Sequence, residues 1–271
     1  TQTPESLTTM PRNTNTKNWQ TLWNQASLFQ FLQDRETYVG IQGEYLAESL
    51  VLAAVFLDNS QLSFELANDL PQDSPLHAYL QALKDGDPAK AVESLVPWNE
   101  SKGTRQLLAM NGAGFAMGLS GNRALATTVL AQCTSQFPEN GVSLFNMAKI
   151  YRAAQMPRFA AQILRRLTAT FPDSLDAQLL VFQVLWESGL RDDAQEVAEI
   201  VYALFPNSKQ ATLATSGIYA DDKRLNEARM IIDIYLKANP SDTDVLLAQA
   251  AVLFRLGESN QAVNNLTGIS T

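Results

Sequence analysis

The sequence predicts an all-α fold built from helix–turn–helix units that stack on one another as a solenoid. Four prolines recur at an interval of 34 residues, and an alanine lies twelve residues before each; the positions are Pro138, Pro172, Pro206 and Pro240, with Ala126, Ala160, Ala194 and Ala228. A period of this length is typical of helix pairs that bury one face against the next pair. Composition agrees, because 46% hydrophobic and 18% charged residues are ordinary values for a folded protein.

Each part of the repeated unit has a physical reason. Proline cannot continue a helix and restricts the residue before it, so each of the four prolines is expected to end the second helix of its unit. Gly121, Gly189 and Gly257 are expected at the turn between the two helices, where left-handed backbone is tolerated. The Asn, Asp and Ser residues after the prolines favour turns and cap the next helix.

Side-chain size repeats with the same period. Small residues 24 positions before the proline let two antiparallel helices approach, and larger residues eight positions before it fill the space around the crossing. The small column contains Gly114, Ala148, Ser216 and Ala250, and Phe182 interrupts it. The larger column contains Leu130, Leu164, Ala198, Ile232 and Leu266.

This pattern resembles the tetratricopeptide repeat (TPR) family. The resemblance extends from about Leu107 to the C-terminus, although the family's tryptophan near the start of the first helix is absent. It implies a right-handed superhelical solenoid of TPR-like repeats. The regular array is 107–271, with units 107–140, 141–174, 175–208, 209–242 and 243–271. An irregular unit without a terminal proline is expected at 72–106.

The N-terminal region of the chain follows a different pattern. Residues 1–18 are rich in threonine and asparagine and are expected to form a flexible tether. Residues 19–71 are expected to be helical, with further helices near Glu44–Leu57 and Leu62–Leu70. In the first helix the apolar residues on one face are Trp19, Leu22, Trp23, Ala26, Phe29 and Leu32. The region 19–71 is either a set of diverged repeats or a packing element that covers the first regular unit.

Charge and residue counts exclude several classes of function. Twenty basic and 28 acidic residues give a net charge of −8, which repels a phosphate backbone, so no nucleic-acid partner is expected. The longest apolar run, Leu50–Leu57, is too short to span a membrane. A single histidine, His77, and a single cysteine, Cys133, do not supply the usual zinc ligand sets. We therefore expect no metal, no cofactor and no catalytic residue.

A glycine cluster at 112–121 invites comparison with a dinucleotide-binding loop. Its spacing is one residue longer than the dinucleotide fingerprint, which also requires a strand before it. Gly114 and Gly121 already occupy the crossing and turn positions of the repeat. We therefore expect a role in helix packing, with Gly112 and Gly118 allowing a close approach to the first helix.

The family resemblance also implies a binding surface, because the first helix of each TPR unit lines an inner groove that holds peptides. Carried onto this chain, the groove residues are Asn111, Phe115, Asn146, Lys149, Arg152, Gln183, Trp186, Phe254 and Arg255. Amides and cations would bind backbone groups and a carboxylate, whereas Phe115 and Trp186 would hold apolar side chains. Phe115 stands where the family's carboxylate clamp has asparagine, so that clamp is not predicted. Alternatively, Lys149 and Arg152 form a solvated face and Trp186 packs on an adjacent helix.

The sequence therefore predicts a non-catalytic scaffold that binds a protein or peptide partner in the concave groove. One alternative is a self-assembling module, a homo-oligomer through the C-terminal repeat, with Leu253, Leu266 and Ile269 partly exposed there. Another is a docking arm of a larger enzyme or of a membrane-associated bacterial complex. The Thr/Asn-rich start without a methionine favours a soluble bacterial periplasmic protein over a cytoplasmic one.

Overall fold

A computed structural model describes residues 19–38 and 45–269, and within these ranges all regular secondary structure is helical. The expected tether, 1–18, lies outside the described residues. The chain begins with α1 (Trp19–Asn24), α2 (Leu28–Gln33) and a 3₁₀ helix (Asp34–Tyr38). Seven helical hairpins follow. Their helices are α3 and α4 (Leu46–Phe56, Ser60–Ala67), α5 and α6 (Pro75–Lys84, Pro88–Ser94), α8 and α9 (Thr104–Leu119, Arg123–Gln136), α10 and α11 (Val142–Ala153, Pro157–Thr170), α12 and α13 (Leu175–Glu187, Arg191–Leu204), α14 and α15 (Lys209–Asp221, Leu225–Ala238), and α16 and α17 (Thr243–Arg255, Ser259–Ile269), with a short α7 (Val96–Asn99) after α6.

The hairpins stack in chain order, and the predicted all-α solenoid is confirmed. Each of the four prolines lies two residues beyond the end of a second helix, as expected. After three of the four prolines the next helix is capped by a side chain: Ser174, Ser208 and Asp242 accept hydrogen bonds from the amides of Ala177, Ala211 and Val245, whereas Gly141, the N-cap residue of α10, makes no such bond. Proline and the N-cap together therefore set the unit boundaries.

All seven hairpin turns contain one residue with positive φ. These residues are Asp58, Gly86, Gly121, Gln155, Gly189, Lys223 and Gly257. In each turn the next amide bonds back to a carbonyl five residues earlier, as in Asn122 N to Met117 O at 3.1 Å and Met156 N to Tyr151 O at 2.9 Å, which is the Schellman arrangement. The glycine turns were predicted, whereas Asp58, Gln155 and Lys223 fill the same position without glycine.

Replacing Gln155 by glycine should stabilise the array. Gln155 has φ of 55°, a left-handed conformation that is costly for a residue with a Cβ. Because glycine also loses more entropy on folding, we expect a net gain of about 0.5 kcal/mol in the free energy of unfolding. Urea denaturation would measure the gain. The matched control is Gly189→Gln in the equivalent turn, which should cost about 1 kcal/mol; a loss on Gln155→Gly would contradict this account.

The size columns pack as the sequence predicts. The five alanines at 126, 160, 194, 228 and 262 are all fully buried. A Cβ added to Gly114 would lie 2.6 Å from Leu130 Cγ, so the small and larger columns face one another within a hairpin. In the unit that has Phe182 in the small column, Ala198 occupies the larger one and Phe182 packs beside it. The large and small side chains have therefore exchanged positions across this helix pair.

The first helix predicted from the apolar stripe is in fact two helices. The chain breaks at Ala26, which has φ of 54°, and Ser27 N then bonds to Leu22 O at 2.8 Å. The break shifts the helical register. Leu28 and Phe31 are consequently buried in place of Phe29, which is only partly buried.

We call the first helices of the regular hairpins the inner helices, after the groove that the family resemblance implies. Contacts join α8 to α10, α10 to α12, α12 to α14, and α14 to α16, and these are more extensive than the contacts between second helices. Buried apolar side chains form one continuous cluster from Trp19 to Val184. Beyond Val184 they form smaller separate clusters.

Candidate functional site

The inner helices present two columns of side chains that repeat every 34 residues. One column contains Phe115, Lys149, Gln183, Gly217 and Ala251, and the other contains Arg152, Trp186, Ala220 and Phe254. We call this face of α8, α10, α12, α14 and α16 the inner groove. Six of the nine predicted site residues belong to these columns. Their surroundings differ strongly along the array.

Asn111 and Asn146 do not line an open groove, and that expectation is corrected. Both side chains are fully buried between α8 and α10. Asn146 Nδ2 donates to Asn111 Oδ1 at 3.3 Å, and Asn111 Nδ2 donates to Leu107 O at 3.1 Å. The two amides bond across the helix interface because burial without partners would be costly. They therefore join two units and are not accessible to a ligand.

Phe115 and Lys149 are covered by the chain itself. The ring of Phe56, at the end of α3, lies 5.3 Å from the ring of Phe115. Lys149 Nζ donates to the carbonyl of Phe56 and to Asp58 Oδ2, the latter at 2.7 Å. Burial lowers the pKa of Lys149, and the bond to Asp58 opposes that shift. The α3–α4 hairpin thus packs against these two predicted residues.

Arg152 lies at the start of the part of the inner groove that the α3–α4 hairpin leaves open. Its guanidinium makes a two-pronged ion pair with Glu187, with Nε to Oε2 at 2.7 Å and Nη2 to Oε1 at 2.5 Å. This hydrogen bonding lowers the pKa of Glu187. A cleft of about 580 Å³ adjoins the pair, and Phe115, Leu119 and Lys149 line its other side. The structure therefore brings Phe115, Lys149 and Arg152 together, with both cations already paired.

The remaining predicted residues lie on an accessible surface. Gln183 is exposed, and Trp186 is partly buried between Phe182 and the guanidinium of Arg191, which lies 3.4 Å from the indole centroid. Arg255 Nη2 donates to Ala220 O at 2.5 Å and so ties α16 to α14. Phe254, on the last inner helix, is 62% exposed.

Two residues that the sequence did not single out extend this surface. Leu247 lies two turns before Phe254 on α16 and is 49% exposed. Gly217 lies between α12 and α16 on α14, and a Cβ there would meet nothing within 4 Å. Gly217 belongs to the column of Phe115, Lys149 and Gln183, so the period itself could have identified it. Leu247 is the 34-residue equivalent of Phe145 and Asn111, which are buried, so the period does not indicate its exposure. We call the surface formed by Gln183, Trp186, Gly217, Leu247 and Phe254 the open groove.

The surroundings of Cys133 and His77, the other candidate chemical groups, indicate structural roles. Burial raises the pKa of Cys133 to about 11, which keeps the thiol protonated. The His77 ring lies 3.1 Å from Pro71 O. Within residues 19–38 and 45–269 no group of three or more His, Cys, Asp or Glu side chains could hold a metal ion. None of the helices in these same ranges is long and apolar enough to cross a bilayer.

The glycine cluster of α8 is explained by helix packing. A Cβ on Gly112 would lie 2.8 Å from Leu95 Cδ1, and one on Gly118 would lie 2.6 Å from Ile150 Cγ1. Side chains of neighbouring helices occupy these gaps. The close approach expected at Gly112 and Gly118 is therefore made by the chain's own core.

The fold and its inner groove define a helical-repeat protein of the kind that presents a surface to other proteins. The family model described as tetratricopeptide repeat matches residues 142–174, which are one unit of the array. This match covers one unit, and the other hairpins of the regular array repeat its length and its packing. They support, in general terms, a protein-interaction scaffold, and repeats of this kind are typically non-catalytic.

Solved structures with a similar fold come from several bacteria. A tetratricopeptide repeat protein from Parabacteroides merdae has 16% identity and a TM-score of 0.53, over 73% of this chain and 79% of that one. A thermophilic TPR protein from Thermus thermophilus has 18% identity and a TM-score of 0.48, over 68% and 100%. MamA from Desulfovibrio magneticus has 14% identity and a TM-score of 0.48, over 64% and 98%. No curated protein sequence matches the chain significantly.

Proposed function

We propose that this chain is a non-catalytic scaffold that binds a helical or extended segment of a partner protein in the open groove. The observation that carries the proposal is the exposure of Leu247 and Phe254 on one face of α16, beside the unfilled space at Gly217. Large apolar groups that share a concave surface mark interaction sites more often than isolated exposed residues do. Aromatic anchors such as Phe254 and Trp186 commonly supply most of the binding free energy.

The half of the inner groove that α3 covers supports the same proposal. At Phe115 and Lys149 an aromatic ring and a carbonyl from α3 occupy the first of the two inner columns. The chain therefore already packs a helix end against this column. A partner segment on the open groove would continue this arrangement along α12, α14 and α16.

Chemistry along the open groove favours a partner with apolar side chains and free backbone groups. Leu247 and Phe254 are seven residues apart, which is two helical turns, so they can receive apolar groups at a similar spacing. Gln183 can donate to and accept from a backbone amide. Gly217 lets a main chain approach closely, since no side chain stands there.

Phe254→Ala should weaken partner binding at least tenfold, because truncation of an aromatic anchor removes its buried contact area. Crosslinking from a photoreactive residue at position 217 in native cells would identify the partner. Titration calorimetry with the purified partner would then measure the loss. The matched control is Phe159→Ala, since Phe159 is 50% exposed on the second helix α11, away from the open groove. Equal affinity for Phe254→Ala and the parent protein would overturn the assignment of the groove.

Self-association through the last hairpin is the second candidate function. Leu253, expected to be exposed there, is fully buried, whereas Phe254 and Val263 are exposed. The side chains of Leu266 and Ile269 lie outside the described residues. Light scattering across concentrations would show a mass increase that Val263→Ser suppresses. A constant monomer mass would rule out self-association and leave partner recruitment as the sole role. A docking arm for a larger enzyme or for a bacterial membrane complex would be one form of partner recruitment.

A further inference from the structure

Residues 19–38, which we call the N-terminal segment, reach far along the array. Asn140 Nδ2 donates to Asn24 Oδ1 at 3.0 Å, and Gly141 N donates to Asn24 O at 2.6 Å. These contacts join the end of α1 to the loop before α10, and their partners are more than a hundred residues apart in the chain. The segment thus lies on the loops between units, beside the inner groove.

The next loop along the array binds the segment in the same manner. Ser174 Oγ donates to Ala26 O at 3.2 Å, and Asp176 Oδ2 accepts from Phe29 N at 2.9 Å. Ser27, the N-cap residue of α2, makes no capping bond of its own, so Asp176 caps α2 from another helix. Asn140 and Ser174 are 34 residues apart and occupy the same position in successive units. We call residues 140–141 and 174–176 the loop edge.

These four hydrogen bonds recognise general features of a peptide chain. Three of them involve main-chain atoms of the segment and one involves the side-chain amide of Asn24. The free amides at the start of any helix can donate to Asp176, whatever the sequence of that helix. Specificity comes from aromatic packing. Between the segment and the array, the ring centroids of Trp23 and Phe56 are 6.3 Å apart, whereas Trp19 packs on Phe31 within the segment itself at 6.1 Å. Trp19 and Trp23 lie one helical turn apart on α1.

The docking of the segment leaves an unusual number of polar groups without partners. Eight buried side-chain atoms in the described residues have no hydrogen-bond partner, and four of them belong to the 20 residues of this segment. They are Trp23 Nε1, Gln25 Oε1, Ser27 Oγ and Tyr38 Oη. Each would regain hydrogen bonds to water if the segment left, which opposes the apolar contribution to docking.

We infer that the N-terminal segment is a displaceable intramolecular ligand, and that the loop edge beneath it is a second binding site for a partner segment of two short helices, the first with an aromatic residue for Phe56 and the second beginning at Asp176. This site goes beyond the proposed function, because it is separate from the open groove. The segment itself, seated on the site, shows the chemistry that the site accepts. Such a partner segment supplies one aromatic ring for Phe56 from its first helix and free amides for Asp176 at the start of its second helix, and it replaces the N-terminal segment.

The loop edge also has room for a longer helix. A cavity of about 830 Å³ lies beyond Gln30 and Gln33 of α2, and its far wall includes Ser208 and Lys209. Ser208 is the 34-residue equivalent of Ser174, so the next unit presents the same type of N-cap residue there. A partner helix longer than α2 would fill this space, which the chain's own segment leaves open.

Displacement can be tested in the full chain with a protease site inserted between Tyr38 and Tyr45. After cleavage, a fluorescent peptide of residues 19–38 is added and its anisotropy followed, while circular dichroism monitors the array. We expect saturable exchange of the peptide with no loss of helicity. The oxidised Asn24→Cys/Asn140→Cys protein should block exchange, because a disulfide holds the segment in place. Exchange only under conditions that unfold the array would overturn the inference.

Two variants distinguish the loop edge from mere packing. Asp176→Ala should weaken peptide affinity about tenfold, whereas Asp176→Asn keeps an acceptor and should stay within about threefold. An unrelated peptide of two short helices with tryptophan at the position of Trp23 should compete with the segment, and the same peptide with alanine there should not. Failure of the unrelated peptide would overturn the partner site. Exchange of segments between copies, seen as a dimer by light scattering, would assign the site to a second copy and overturn it also.

Variants that disrupt the loop-edge site should not change binding in the open groove. Phe254→Ala should have no effect on binding of the 19–38 peptide, and Asp176→Ala should have none on a partner captured from position 217. The two proposals can therefore fail separately.

Discussion

Leu130→Ala is expected to lower the free energy of unfolding by about 3 kcal/mol. Leu130 is fully buried at the crossing of α8 and α9, and truncation of a buried leucine loses its transfer free energy and leaves a cavity. Little relaxation is available, because helix packing from both adjacent units fixes these helices. Urea denaturation followed by circular dichroism would measure the change.

A double-mutant cycle with Gly114 tests the cause of this loss. Gly114→Ala alone should destabilise the protein, because its Cβ would lie 2.6 Å from Leu130 Cγ. In Leu130→Ala that space is empty, so the added methyl group should be tolerated or favourable. We expect a coupling energy of about 1 to 2 kcal/mol between the two sites. Additive effects would show that the two side chains do not share a packing volume. The natural sequence already contains such a compensation, because Phe182 stands in the small column and Ala198 in the larger one.

The docking of the N-terminal segment should strengthen as the pH falls from about 8 to about 5. Burial raises the pKa of Asp176 to about 7, and the amides of Phe29 and Leu28 only partly oppose that shift. An unfolded aspartate has a pKa of about 3.9, so between these values the folded state binds a proton that the unfolded state does not. The stabilisation is therefore present below pH 7 and is lost as the pH rises through 7. It should reach about 2 to 3 kcal/mol at about pH 5.

Asp176→Asn isolates this effect from other titrating groups. Asparagine retains an acceptor for Phe29 N but has no charge, so the variant should lose the pH dependence that the parent shows in this range. Hydrogen exchange of the Leu28 and Phe29 amides, measured at several pH values, reports the local opening free energy. Parallel pH profiles for the parent and Asp176→Asn would contradict the assignment.

Much of the array could be predicted from the sequence because its causes are local and periodic. Proline ends a helix wherever it occurs, and alanine is required at every helix crossing. The equivalents of Pro172 and Ala160 in the other units therefore have the same roles. The inner columns follow from the same period, which is why Lys149, Gln183 and Phe254 were placed on the inner helices. The positive φ at Gln155 was missed, since no residue type there indicates it.

The coverage of the groove could not be predicted, because it depends on contacts without a period. Lys149 bonds to Asp58, and Asp176 to Phe29, across long stretches of the chain. Nothing in the composition of residues 19–38 distinguishes a segment that returns to the array from one that only begins it. Asn111 and Asn146 illustrate the same limit: a polar residue on an inner helix is compatible with both an open groove and a buried amide pair.

The division of the apolar core after Val184 determines how the molecule should respond to strain. The small clusters beyond Val184 are joined only by contacts between neighbours, so these units can separate one at a time. Under warming or a pull at both ends, α16 and α17 should unfold first and α14 and α15 next. For the same reason the curvature of α12, α14 and α16 should change more easily than that of α8 and α10.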